Sequence, residues 1–184
     1  GGPFDPMHLP PPPWIVKPAR TDASEGITAE GSIILQAGDA LLRAVESVHR
    51  DFGQAALVEQ LVGERELNVS VVERAGCIEV LPLAEIDFSA FPASKPRIVD
   101  YAAKWLPDSF EFSHTPRIIP APLPPITAES IRNASRRAWQ ALGCRDYARV
   151  DIRLSANGDF HVLEVNANPD ISPDAGFAAA LAAA

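Results

Sequence analysis

The chain has 184 residues, 47% hydrophobic and 22% charged, with a formal net charge of −8. That is the composition of a folded globular protein with enough chain for one ample core or two small lobes. The acidic balance argues against a nucleic-acid footprint and a polybasic membrane patch, and two cysteines, Cys77 and Cys144, are too few for a disulfide framework. No apolar run approaches the ~20 residues of a membrane helix and no signal-peptide pattern appears. A cytoplasmic protein with reduced thiols is expected, with neither nucleic acid nor membrane as partner.

Residues 1–13 contain four consecutive prolines and no periodicity, so they read as an extended leader or linker. Trp14-Ile15-Val16-Lys17-Pro18 predicts a short strand. The polar loop TDASEGIT follows it. Lys17 supplies a point charge at the strand mouth, Ser24 a hydroxyl, and Gly26 room for close approach of backbone N–H groups, which suits phosphate. A solvated surface turn fits the same residues. Gly31 to Leu35 reads as the return strand. Asp39 then caps a helix with Leu41, Leu42, Val45, Val48 and Phe52 at helical spacing and Gly53 as its stop; His49 belongs at the edge of that core.

Residues 56–62 predict a strand, and 65–71 alternate cleanly, with Glu66, Asn68 and Ser70 on one face and Leu67, Val69 and Val71 on the other. After a turn at 74–77 the sheet resumes to residue 86. Residues 87–112 are irregular but carry too many aromatics for disorder. A proline-rich connector holding His114 leads to a helix capped by Thr127, with Glu129 in its first turn and Ile131, Ala134, Ala138 and Leu142 as its buried stripe, ending at Gly143. The alanines after Phe177 read as a frayed helix or a featureless tail.

The most informative stretch is residues 149–172. Arg149, Asp151 and Arg153 alternate with Val150, Ile152 and Leu154. Val162, Glu164 and Asn166 alternate with His161, Leu163 and Val165, and SANGD between the runs carries a hairpin-turn signal. Pairing Ser155 with Phe160 sets Asp151 opposite Glu164 and Arg149 opposite Asn166. Like charges facing each other across a sheet are destabilising, so two carboxylates and an amide oxygen gathered this way point to a cation. Oxygen ligands without His or Cys suit Mg2+ or Mn2+. A solvated hairpin with its acids turned to water is the alternative.

The D…E-x-N pattern of Asp151, Glu164 and Asn166, followed by Asn168-Pro169, resembles the metal-binding end of the ATP-grasp fold. The run EVNANPDISPDAGF is most similar to the D-alanine–D-alanine ligase branch, and the similarity extends from about Trp14 to Phe177. It implies an α+β fold in which two lobes with largely antiparallel sheets grip ATP between them: residues 14–62 the small lobe with a phosphate-binding flap, 63–184 the large lobe with the metal-binding hairpin. It further implies that Lys17 and the flap with Ser24 and Gly26 contact ATP phosphates, and that Glu59, Gln60 and Val62 form the adenine hinge. Glu66 would take the ribose hydroxyls and Lys104 would pack over the triphosphate. Asp151, Glu164 and Asn166 would hold two ions, Arg149 would stabilise the charge of the second chemical step, and Ser172 would lie near the second substrate.

The function so implied is an ATP- and Mg-dependent carboxylate–amine ligase working through an acyl phosphate on amino-acid or peptide substrates. The N-terminal domain that binds the first amino acid in this branch, and a further lysine before Lys17, have no counterpart in residues 1–13. Three readings stay open: a ligase, an ATP-binding module without turnover, and half of a ligase that needs a separate N-terminal substrate domain or a homodimer. A plain interaction protein with an acidic cation site is a fourth.

Overall fold

The computed structural model describes residues 9–184 and divides them into two units. The first takes the described residues up to Leu61 together with Ala90–Thr115; the second takes Val62–Ser89 and Pro116–Ala184. Residues 1–8 of the expected leader lie outside the described residues. The chain passes between the units after Leu61, and 90–115 cluster with the first. Hydrogen bonds explain why: Ser24 Oγ donates to the Val99 carbonyl at 2.9 Å, Tyr101 N–H to Ile27 O at 3.1 Å, and Trp105 Nε1 to Ala23 O at 2.9 Å.

The first unit is built on a three-stranded antiparallel sheet of order β2-β1-β3, from β1 (Trp14–Pro18), β2 (Ile33–Ile34) and β3 (Ala56–Gln60). The return strand expected over Gly31 to Leu35 is shorter because helix α1 (Ala29–Ser32) takes its first residues. Thr28 caps that turn, its Oγ1 accepting from Gly31 N–H at 3.0 Å. Helix α2 (Asp39–Phe52) lays Leu41, Ala44, Val45 and Val48 on Trp14, Val16 and Ile34. Gly38 rather than Asp39 occupies its cap position, and Gly53 ends it in the left-handed conformation at φ 63°. Leu42 of the expected stripe faces solvent and His49 is exposed, because Ala44 closes the buried face. The 90–115 segment is not irregular throughout. It forms α3 (Tyr101–Trp105), capped by buried Asp100, and α4 (Phe110–Ser113), capped by Ser109.

The second unit contains β4 (Arg65–Arg74), β5 (Cys77–Val80), β6 (Ala84–Ile86), β7 (Arg117–Ile118), β8 (Tyr147–Leu154) and β9 (Phe160–Asn166). Their order is β7-β6-β4-β8-β9, with β5 also on β4 and every pairing antiparallel. One sheet face is apolar: Leu67, Val69, Val71, Val150, Ile152 and Leu154 pack on Ile131 and Trp139 of helix α5 (Pro125–Ala141). Each fully buried aliphatic side chain contributes about 1.5–3 kcal/mol. The helix starts at Pro125, whose fixed φ suits a first turn, two residues before the expected cap at Thr127. Its buried residues are Ile131, Ala134, Ser135 and Trp139. Leu142 is exposed, because the large indole of Trp139 rotates the stripe by one position. Helix α6 (Gly176–Ala182) orders the alanine-rich end by burying Phe177 and Ala180 against Val72 and Leu81.

Candidate functional site

The opposite face of the second unit's sheet is polar. Alternation puts Glu66, Asn68 and Ser70 of β4 there beside Arg153, Asp151 and Arg149 of β8, which are their respective register partners. On the other side of β8, Asp151 stands opposite Glu164 and Arg149 opposite Asn166. The hairpin reaches this arrangement through a bulge. Near the turn Leu154 pairs with Phe160, Arg153 with His161 and Ile152 with Val162, one residue off the expected Ser155–Phe160 pairing. The turn closes tightly, Ser155 N–H donating to Asp159 O at 2.8 Å. An irregularity between Asp151 and Ile152 then lets β9 contribute one extra residue, Leu163, and brings the acids opposite each other. Val162 consequently shares the face of Ile152 rather than that of Glu164.

Asp151 is 6% exposed and both its oxygens are engaged. Arg149 grips it with two bonds, Nε to Oδ1 at 2.7 Å and Nη2 to Oδ2 at 2.8 Å, and Asn68 Nδ2 donates to Oδ1 at 2.9 Å. Burial works against the charge of Arg149, but the bonds and proximity of Asp151, helped by Glu164 and Glu66, raise its pKa above the ordinary value. Below the strand, Asn166 Oδ1 accepts from Asn168 N–H at 3.0 Å and Tyr147 Oη donates to Asn168 Oδ1 at 3.3 Å, which holds the turn in place. Asp170 Oδ1 accepts from Ser172 N–H at 2.8 Å. The Ser172 hydroxyl and N–H, then Arg117 and Arg149, hold the Asp170 carboxyl below its usual range.

Among the described residues no group of three or more His, Cys, Asp and Glu side chains forms a metal cluster. The donor set on this face is instead two carboxylates and an amide. Its hard oxygens match Mg2+ or Mn2+, ions that draw the rest of their shell from water and phosphate. Asp151 Oδ1 already accepts two bonds, whereas Oδ2 accepts one and keeps a second lone pair for an ion.

In the first unit, Lys17 on β1 forms an ion pair with Glu59 on the neighbouring strand β3. Ala23 and Ser24 are both left-handed, at φ 57° and 62°. Gly26 has φ +78°, and a Cβ there would stand 2.7 Å from Pro18 Cγ and 2.8 Å from Phe52 Cζ, so packing alone requires the glycine. Lys104 lies on α3, the helix bonded to this same loop. Ser24, Gly26 and Lys104 are therefore gathered in one sub-assembly, with Lys17 and Glu59 on the sheet beside Gln60. The two remaining candidates, Val62 and Glu66, belong to the second unit. There the Val62 carbonyl and the Glu66 carboxylate both accept from Arg153. Sequence reasoning passed over Arg153 and Asn68. The R-x-D-x-R alternation of β8 carried the signal for the first; the second needed the β4–β8 register.

Residues 11–184 match the family model for the D-ala D-ala ligase C-terminus. The chain belongs to that family. A D-alanine–D-alanine ligase A of Mesorhizobium japonicum is 36% identical over 173 residues, which is 94% of this chain and 44% of the relative. The D-alanine–D-alanine ligase of Thermotoga petrophila is 31% identical over 160 residues, 87% of this chain and 47% of the relative. The chain thus spans about half the length of these curated relatives. Two solved structures share its fold: the VanG D-Ala:D-Ser ligase of Enterococcus faecalis, with TM-score 0.68 at 22% identity, and a Bacillus anthracis D-alanine–D-alanine ligase complexed with ATP, with TM-score 0.64 at 21% identity. Each alignment covers 93% of this chain, and 45% and 48% of those chains respectively. The fold is the mixed α/β, antiparallel-sheet architecture of ATP-grasp ligases. No helix among the described residues is long and apolar enough to cross a membrane.

Proposed function

We propose that this chain is the nucleotide-binding and catalytic portion of an ATP-dependent ligase that joins a carboxylate to an amine, with D-alanine or a similar small amino acid as the amine. The observation that carries the reading is the register that sets Asp151 opposite Glu164, and Arg149 opposite Asn166, on one polar sheet face. In such a reaction a carboxylate oxygen attacks the γ-phosphorus of ATP and ADP leaves. The amine nitrogen then attacks the acyl carbon, the bond to phosphate breaks, and the nitrogen loses a proton. Phosphoryl transfer of this kind depends on positioning and charge neutralisation.

The roles of the side chains follow from that requirement. Asp151, Glu164 and Asn166 would hold Mg2+ or Mn2+, which when bound neutralises phosphate charge and orients the transferred group. Lys17 and Lys104 brace phosphate oxygens, and the Ser24–Gly26 loop covers them. Glu59, Gln60 and Val62 read the adenine edge through backbone groups, and Glu66 accepts from the ribose. Arg149, bonded to Asp151 on the hairpin, stabilises the oxyanion of the second step. Ser172 orients the amine substrate. The first carboxylate substrate is supplied by a segment or partner outside the portion that the relatives share with this chain.

The test is ADP and phosphate release from Mg-ATP, measured with and without added D-alanine and, separately, with the N-terminal half of a relative supplied in trans. Release that rises with D-alanine supports the ligase. Mg-ATP binding without any amine-dependent release, under both conditions, identifies a nucleotide-binding module instead.

A further inference from the structure

Arg153 has no part in the chemistry just described, yet it is 4% exposed and carries a full charge. Burying a guanidinium is costly unless its donors are met. The acceptors that meet them include two backbone carbonyls and a carboxylate: Nε donates to Val62 O at 3.1 Å, Nη2 to Gly63 O at 2.6 Å, and Nη1 to Glu66 Oε2 at 3.2 Å. Two consecutive backbone carbonyls and one carboxylate are thus held by one planar fork.

The peptide so held is locked from a second side. Gly63 is left-handed at φ +62°, and a Cβ there would lie 2.7 Å from the Leu154 carbonyl carbon and oxygen. Glu64 N–H donates to Leu154 O at 3.2 Å. The segment 62–64 therefore has little freedom: β8 fixes it through the backbone of Leu154 and the side chain of Arg153. The same strand carries Asp151 two residues earlier on the same face, roughly 7 Å away along the strand.

We propose that Arg153 is a positioning residue for the adenosine end of the nucleotide. It sets the peptide plane at Val62–Gly63 and the rotamer of Glu66, so that β8 organises both ends of one ligand: the phosphates through Asp151, the ribose and base through Arg153. This inference rests on the nucleotide-binding reading and adds a residue to it. A lysine cannot replace the arginine, since a single ammonium on a flexible stem does not present a planar fork to three acceptors.

The experiment compares Mg-ATP with Mg-2′-deoxyATP, by calorimetry on the purified chain, in four proteins: the parent, Arg153→Met, Arg153→Lys and Glu66→Gln. A hydrogen bond from the ribose to a well-placed carboxylate makes the parent prefer ATP over 2′-deoxyATP by roughly tenfold or more. In Arg153→Met and Arg153→Lys that preference falls toward one, as it does in Glu66→Gln, while affinity for Mg-tripolyphosphate stays within about threefold of the parent. A variant that merely loses folded protein loses both ligands in proportion and keeps its ATP to 2′-deoxyATP ratio, which a fold change alone does not move. Should Arg153→Met fail to fold, Arg153→Lys and Glu66→Gln carry the comparison. A parent that binds Mg-ATP, with an undiminished ribose preference in the folded arginine variants, overturns the positioning role and leaves the nucleotide reading standing. A parent that binds no Mg-ATP removes the nucleotide reading and this inference with it.

Discussion

Asp151 and Glu164 face each other across two strands, but their surroundings differ, and so must their responses to substitution. Asp151 is buried with both oxygens bonded to Arg149 and one also to Asn68. Removing its charge takes the directly bonded counter-ion away from the largely buried Arg149 guanidinium, a change that costs roughly 3 kcal/mol. Glu164 is exposed on the outer strand. Glu164→Gln keeps its shape and leaves the Arg149–Asp151 pair intact, so its effect on stability stays within about 0.5 kcal/mol. If it is an ion ligand, Mg-ATP affinity nevertheless drops by about tenfold or more. Calorimetric titration and urea unfolding of the two variants check this contrast. Equal Mg-ATP affinity for the parent and Glu164→Gln sinks the ligand assignment, whereas instability confined to Asp151→Asn is what the bonding around that residue requires.

At the level of elements, period and alternation were legible wherever a face was committed to a core. The strands β4, as far as Val71, and β8 could be read because their apolar positions alternate, β1 because a short apolar run ends at Pro18, and α2 because Leu41, Val45 and Val48 repeat at helical spacing. The sequence was silent where one element competes with another for the same residues. Thr28 draws 29–32 into a helical turn at the expense of a strand, and the bulge at Leu163 depends on a turn whose tightness only the folded hairpin defines. Helix α5 shows the same limit: Ile131, Ala134, Ala138 and Leu142 are spaced as well as the set actually buried, and packing chose Trp139. Of the candidate site, the acids and their mutual register could be anticipated, but the Arg153 contacts to 62–66 join residues some ninety positions apart and could not. The helix offers a direct check. Trp139→Ala should cost about 3–5 kcal/mol in urea unfolding, as a buried indole does, and Leu142→Ala, at 66% exposure, less than about 0.5 kcal/mol. Comparable losses from the two would mean that α5 sits on the sheet through the stripe first expected.

For the molecule as a whole, the division into two units means that stability has to be followed locally, because a single unfolding midpoint mixes two cores. The segment 90–115 joins the first unit with little aliphatic core of its own. Phe91 and Phe110 lie 5.5 Å apart, Phe110 stacks on His114 at 4.1 Å, and Lys95 pairs with Glu111 while approaching the Phe91 ring at 5.8 Å. The Lys95 hydrogen bond, then the Glu111 backbone, hold the Glu111 carboxyl below its usual value, and the Glu111 bond likewise holds Lys95 above its own. The signs of the two shifts define a window. A depressed carboxylate contributes in full above its unfolded pKa, about 4.3, and that contribution is lost as pH falls through the folded value. A raised lysine contributes in full below about 10.4 and loses its share as pH climbs through the folded value. Protection of the 90–115 amides against hydrogen exchange, corrected for intrinsic rates, should therefore be level from about pH 5 to 9 and decline below about pH 4. The double variant Lys95→Met/Glu111→Gln should start lower at neutral pH and lose that acid decline. Because Ser24, Ile27 and Ala23 are bonded to this segment, the loop that carries Ser24 and Gly26 should lose protection along the same curve. A parent and double variant with parallel profiles would show that the aromatic contacts, rather than the ion pair, hold the Lys104 helix against the loop.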